Sequence, residues 1–125
     1  MDAVTVVREL WTRAQARDWA GFGELVAPNA VIEWPVTSER IVGRAHYVAV
    51  NREYPEGWEI RILRVIGSGD QVASEVEVRH ETLGPFRAAS FWTVTDGQIV
   101  RATEYWTSPG AEEGRADRTA HVEPM

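Results

Sequence analysis

The hydrophobic pattern changes period partway along the chain. Helical spacing of the apolar positions dominates up to about residue 54, interrupted by one short strand, and from Trp58 onward they alternate with the two-residue period of strands. Val4, Val7, Trp11 and Ala14 share one helical face behind Asp2, which predicts an amphipathic helix to about Arg17. A shorter second helix carries Trp19, Phe22, Leu25 and Val26 and stops before Pro28-Asn29. Residues 30–35 read as a short strand with Ile32 and Trp34 on one face and Val31 and Glu33 on the other. Residues 37–42 read as a loop or a brief hairpin arm. Gly43 opens a third helix that runs to Tyr54 and is ended by Pro55. Four long strands follow, over about 58–66, 71–81, 86–95 and 98–107, separated by Gly67-Ser68-Gly69-Asp70, Leu83-Gly84-Pro85 and Asp96-Gly97. Helices first and a strand meander after define an α+β fold with helices on one face of an antiparallel sheet.

The last hairpin is the most informative stretch. Asp96-Gly97 is a strong two-residue turn signal and sets the parity of both arms. In the second arm Val100, Ala102, Glu104 and Trp106 share a face, opposite Ile99, Arg101, Thr103 and Tyr105. The first set is more apolar, so it is expected indoors, and it takes Glu104 with it. In the first arm Phe86, Ala88, Ser90, Trp92 and Val94 point the same way, leaving Arg87, Phe91 and Thr93 outside. Trp34, Trp92 and Trp106 thus share inward parity with a carboxylate, which suggests a flat, apolar or aromatic small molecule stacked between indoles.

Composition narrows the chemistry. A chain of 125 residues, 44% hydrophobic and 26% charged, is expected to be one globular domain. A net charge of -6 argues against a nucleic-acid partner. There is no apolar run long enough for a membrane span and no signal peptide, so a cytoplasmic location is expected. Without cysteine there is neither disulfide nor thiolate, and since all 13 basic residues are arginine there is no Schiff-base lysine. Three scattered histidines make no metal site. No glycine-rich phosphate loop is present either, so no cofactor is expected. Proton chemistry falls to the acids, histidine or tyrosine. The five aspartates read as helix caps (Asp2, Asp18), turn residues (Asp70, Asp96) and tail (Asp117), leaving the strand glutamates Glu33, Glu59, Glu75, Glu77 and Glu104.

The order of elements, with Ile32-Glu33-Trp34-Pro35 followed by Gly43 and the closing run from Asp96-Gly97 to Tyr105-Trp106, resembles the nuclear-transport-factor-2-like superfamily, over roughly Val4 to Ser108. That group includes the ketosteroid isomerases, scytalone dehydratase and the SnoaL-like polyketide cyclases. The resemblance implies a sheet curled into a cone around a ligand cavity, a domain over 1–108, and a tail over 109–125 docked on the domain or on a dimer partner. It does not carry the isomerase machinery across. The position of the base, directly before the proline, is Trp34, and the two oxyanion donors fall at or beside Leu10 and at Ser90. The paired histidines of the dehydratases are also missing, since only His80 lies on a strand, and it is expected to face outward.

Glu104 is the leading candidate for acid-base chemistry, the alternative being a structural carboxylate paired with an arginine such as Arg79. For strand 71–81 two readings conflict. The local pattern puts Val72, Val76 and Val78 inside. The family register instead puts Ala73, Glu75, Glu77 and Arg79 inside, and we follow it, taking Glu75 as a second catalytic carboxylate. That register leaves Val76, Val78 and Phe91 on the convex face, where they imply a homodimer. The resemblance also puts Asn51 and Tyr54 on the cavity helix as ligand contacts, and Ser90 has the parity of a pocket hydroxyl. Glu39 and Arg40 at the mouth either gate entry or are simply solvated. Two functional classes follow: a cofactor-free cyclase, isomerase or dehydratase acting on an apolar carbonyl-bearing compound, or a non-catalytic binding or dimerisation module.

Overall fold

A computed structural model describes residues 1–125. Three helices, α1 (Ala3–Gln15), α2 (Trp19–Glu24) and α3 (Arg44–Arg52), lie against six strands: β1 (Val26–Trp34), β2 (Glu39–Val42), β3 (Trp58–Ser68), β4 (Gln71–His80), β5 (Phe86–Thr95) and β6 (Gln98–Thr107). The strands form one curved, unclosed sheet in the order β2-β1-β6-β5-β4-β3. Neighbours are antiparallel except β1 and β6, which run parallel. No helix is long and apolar enough to cross a membrane.

Local chemistry sets the helix limits. Asp2 caps α1 by accepting from Thr5 N at 2.8 Å, and Asp18 caps α2 through Gly21 N at 2.9 Å. The buried face of α1 is Val6, Val7, Leu10, Trp11 and Ala14, and it packs on β3 to β6. Gly43, at a φ of 95° that side chains resist, lets the chain leave β2 and enter α3 while its N–H bonds Ala30 O at 2.7 Å. Asp96 and Gly97 both have positive φ, as a two-residue hairpin turn requires.

The structure corrects several expectations. β1 starts at Val26, not at Ala30, because Leu25 closes α2 and Val26 at once pairs with Ile99 of β6. Pro28-Asn29 sits where that pairing shifts register, so the proline's missing N–H breaks no ladder bond. In β6 a bulge lies between the pairs Thr93–Arg101 and Val94–Ile99. It reverses the parity near the turn, so Ile99 is fully buried although its strand alternation had placed it outside.

The larger correction concerns β4. Val72, Ser74, Val76 and Val78 are all buried beneath the helices, so Ala73, Glu75, Glu77 and Arg79 belong to the outer face. The alternation of β4 is unbroken, and the hydrophobic pattern, not the family register, sets its facing. Glu75 pairs with Arg64 at 2.9 Å and Glu77 with Arg79 at 3.1 Å, both in contact with solvent. From Pro109 onward every residue is exposed, including a short 3₁₀ turn over Ala116–His121.

Candidate functional site

The inward face of β6 delivers Glu104 to the centre of the molecule, where it is 1% exposed. Three neutral donors reach it from three elements. Trp34, at the end of β1, donates its indole N–H to Oε2 at 2.8 Å. Trp106, two residues along the same strand face, donates to the same oxygen at 3.3 Å. Tyr47, on the buried side of α3, donates its hydroxyl to Oε1 at 2.9 Å. No arginine takes part, since none of the ion pairs of the protein includes Glu104.

Burial dominates the electrostatics. Removal from water pushes the Glu104 carboxyl above its ordinary value of 4.5, against the hydrogen bonds from Trp34, Tyr47 and Trp106, which favour the charged form. Tyr47 is held well above its usual value of 10.0, first by burial and then by the neighbouring carboxylate. The two shifts have the same origin: a dry site prefers both groups neutral.

Glu104 opens onto a cavity of about 280 Å³. Trp11, Trp34, Tyr54, Trp58, Phe86 and Trp106 give it an aromatic wall. Asn51 also lines it and is held by its Nδ2 donating to Tyr47 O at 2.8 Å. Glu39 and Thr37 stand on its polar side, while Arg40 turns away to pair with Glu33 at 2.9 Å. No group of three His, Cys, Asp or Glu side chains is placed to hold a metal ion.

Of the residues singled out from the sequence, Glu104, Trp34, Trp106, Asn51 and Tyr54 meet at this cavity. Glu75 and Arg79 do not, because they lie on the opposite face of the sheet, bound into the surface ion pairs. Trp92 has the expected inward parity but sits deeper, 1% exposed, with its indole N–H on Ser74 Oγ at 2.9 Å. Ser90 faces Glu104 directly across the β5–β6 pair. Its Oγ is buried without a well-formed hydrogen bond, and it is the weakest of the four groups that favour the charged carboxylate. Tyr47, Trp11 and Trp58 were missed. Tyr47 is the most important omission, and its helical spacing from Gly43 and Asn51 was the available signal.

A curved sheet with helices enclosing an acid-bearing apolar cavity defines a nuclear-transport-factor-2-like protein. The sequence profile of the SnoaL-like domain matches residues 7–102, and the chain belongs to that family. A crystal structure of a provisionally named ketosteroid isomerase from Kribbella flavida DSM 17836 is similar at a TM-score of 0.90 and 32% identity, covering 98% of this chain and 89% of that one. An epoxide hydrolase from M. tuberculosis of the LEH-like kind shares the fold at a TM-score of 0.72 and 23% identity, over 84% of this chain and 82% of that one. A provisionally named polyketide cyclase from Xanthomonas campestris pv. campestris does so at 0.69 and 19%, over 84% and 90%. No curated protein matches the sequence.

Proposed function

We propose that the protein is a cofactor-independent acid-base enzyme of the cyclase, isomerase or dehydratase type, acting on an apolar carbonyl-bearing molecule, with Glu104 exchanging the proton. One observation carries this reading: a fully buried carboxylate, without a cationic partner, borders an aromatic cavity. Burial raises this carboxyl above its ordinary value, so it holds a proton more readily than a solvated carboxylate, which suits general acid-base exchange. The named activities of the similar structures, an isomerase, a hydrolase and a cyclase, are consistent with proton chemistry in this fold.

A non-catalytic binding module remains the second reading, and one observation favours it. Oε2 already accepts two indole N–H groups, which leaves only Oε1 with a lone pair for a ligand.

Titration of Glu104 separates the two. In carbon-13 NMR its carboxyl is expected to titrate above 4.5, and Glu104→Gln is expected to lower turnover by about 10²–10⁴-fold. Stability follows the same shift. Because the folded pKa lies above the unfolded one, the contribution of the group is complete below about 4.5 and is lost as pH rises to the folded value. The advantage of the wild type over Glu104→Gln should therefore shrink across that window, by about 1.4 kcal/mol for each pH unit separating the two values. Titration at the ordinary value, or normal turnover by the Gln variant, would favour the binding module.

We also propose a homodimer through the outer sheet face, resting on Phe91 as the sequence suggested but no longer on the valines. Val76 and Val78 are core residues, but Phe91 (55% exposed) and Tyr105 (41%) stand edge to face on the outer sheet surface, 6.3 Å apart. Arg64, Glu75, Arg87 and Glu77 flank them with both signs of charge, so a second copy rotated by two-fold symmetry meets complementary groups. Light scattering at micromolar concentration should give twice the chain mass, and Phe91→Lys should give the monomer. A monomeric wild type would remove the proposal.

A further inference from the structure

The cavity is unusual in the sign of what it offers. Its lining contains two carboxylates, Glu39 and Glu104, and no Arg, Lys or His. The indole N–H groups of Trp34 and Trp106, the natural donors to a ligand oxygen, are already bonded to Glu104. The Asn51 amide nitrogen is bonded to the backbone. An anion therefore finds no cation to receive it, and the donors left for a ligand oxygen are neutral, among them the Trp58 indole N–H, which has no hydrogen-bond partner.

A cation finds the opposite. Buried carboxylates are normally paired, and a chain with 13 arginines leaves this one without any. Six aromatic side chains surround the space, and aromatic faces attract ammonium groups, more so when water is excluded. The protein already uses an indole in this way: the Arg17 guanidinium carbon lies 3.2 Å from the ring centre of Trp58.

We propose that the cavity selects a hydrophobic organic cation, a protonated amine on an apolar or aromatic frame, with the ammonium placed against Glu104 and the frame against the indoles. This rests on the acid-base reading of Glu104 and narrows its carbonyl-bearing substrate to one that also carries a basic amine. Oε2 has both lone pairs occupied by groups that only donate, so the contact falls on Oε1, where Tyr47 occupies one lone pair and leaves the other. The proton that Glu104 handles is then the ammonium's own. The N–H bond breaks, an O–H bond forms on Oε1, and the electron pair stays on nitrogen. The ion pair becomes a neutral amine and a neutral acid, the pair of forms that a dry site favours.

Three probes on one frame test the sign: 4-phenylbutylamine, 4-phenylbutanol and 4-phenylbutyrate, bound to the full chain at pH 7.5 and followed by tryptophan fluorescence and calorimetry. The amine should bind at least about tenfold more tightly than the alcohol, and the butyrate most weakly. In Glu104→Gln the preference for amine over alcohol should fall to about onefold while the alcohol binds as before. The proposal is overturned if the alcohol or the butyrate matches the amine, if the Gln variant keeps the preference, or if none of the three binds at millimolar concentration. Failure here leaves the titration of Glu104 and the turnover of its Gln variant untouched, so the two readings fall separately.

Discussion

Replacing Glu104 with leucine should destabilise the folded protein by about 3 kcal/mol or more near neutral pH, although leucine is apolar and of similar length. The reason lies in the donors left behind. Trp34 Nε1, Tyr47 OH and Trp106 Nε1 all end on this carboxylate, and a buried donor deprived of its acceptor costs about 1–3 kcal/mol. Removing the carboxylate also relieves its own desolvation, which offsets part of the sum and keeps the figure at the low end. Against a typical total of roughly 5–15 kcal/mol the loss is large, and it should appear as a Tm lower by roughly 10 °C or more. Glu104→Gln should stay within about 1 kcal/mol, because its carbonyl oxygen still accepts both indoles while the Tyr47 hydroxyl turns to accept from the amide. Equal melting of the Leu and Gln variants would mean that the three hydrogen bonds do not hold the site together.

The inward facing of Glu104 was legible in the sequence because parity within a hairpin is a local property. The alternation of Ala102 and Trp106 on either side of Glu104 carried its facing, because the bulge at Ile99–Arg101 interrupts the register set by the turn. The same reasoning failed at Ile99, where the bulge adds a residue that no pattern in the sequence announces. Glu75 was misplaced for another reason. The valines of β4 gave the right answer, and a register borrowed from distant relatives displaced it. With Val76 fully buried, the local hydrophobic pattern was the stronger physical argument. The four-residue spacing of Tyr47 from Asn51 put it on the cavity side of α3, but its bond to Glu104 spans 57 positions and depends on how α3 crosses the sheet. The three-dimensional arrangement of donors around one carboxylate is a tertiary fact. The acceptor and the inward parity of Trp34 and Trp106 could be read from the chain, but not the bonds between them.

The second large effect is expected beneath the cavity, at Ser74→Ala. Ser74 is 4% exposed, and its Oγ accepts from Trp92 Nε1 at 2.9 Å and from Trp11 Nε1 at 3.2 Å. A hydroxyl oxygen has two acceptor positions, and the two indoles fill both. Alanine orphans two buried N–H groups, which should cost about 2–4 kcal/mol in urea denaturation. The damage reaches the site, because Trp11 lines the cavity and stands edge to face with Trp106 at 6.2 Å, one of the donors to Glu104. A loosened Trp11 should therefore weaken binding of any cavity probe as well as lowering stability. Ser90→Ala supplies the control. Ser90 is equally buried on the same sheet face, yet its Oγ accepts no indole and makes no well-formed hydrogen bond, so its loss should change stability by less than about 0.5 kcal/mol. Two serine-to-alanine changes with the same burial should thus differ by about 2 kcal/mol or more. If they melt alike, the serine hydroxyl does not organise the tryptophans, and the rigidity of the cavity wall must come from packing alone.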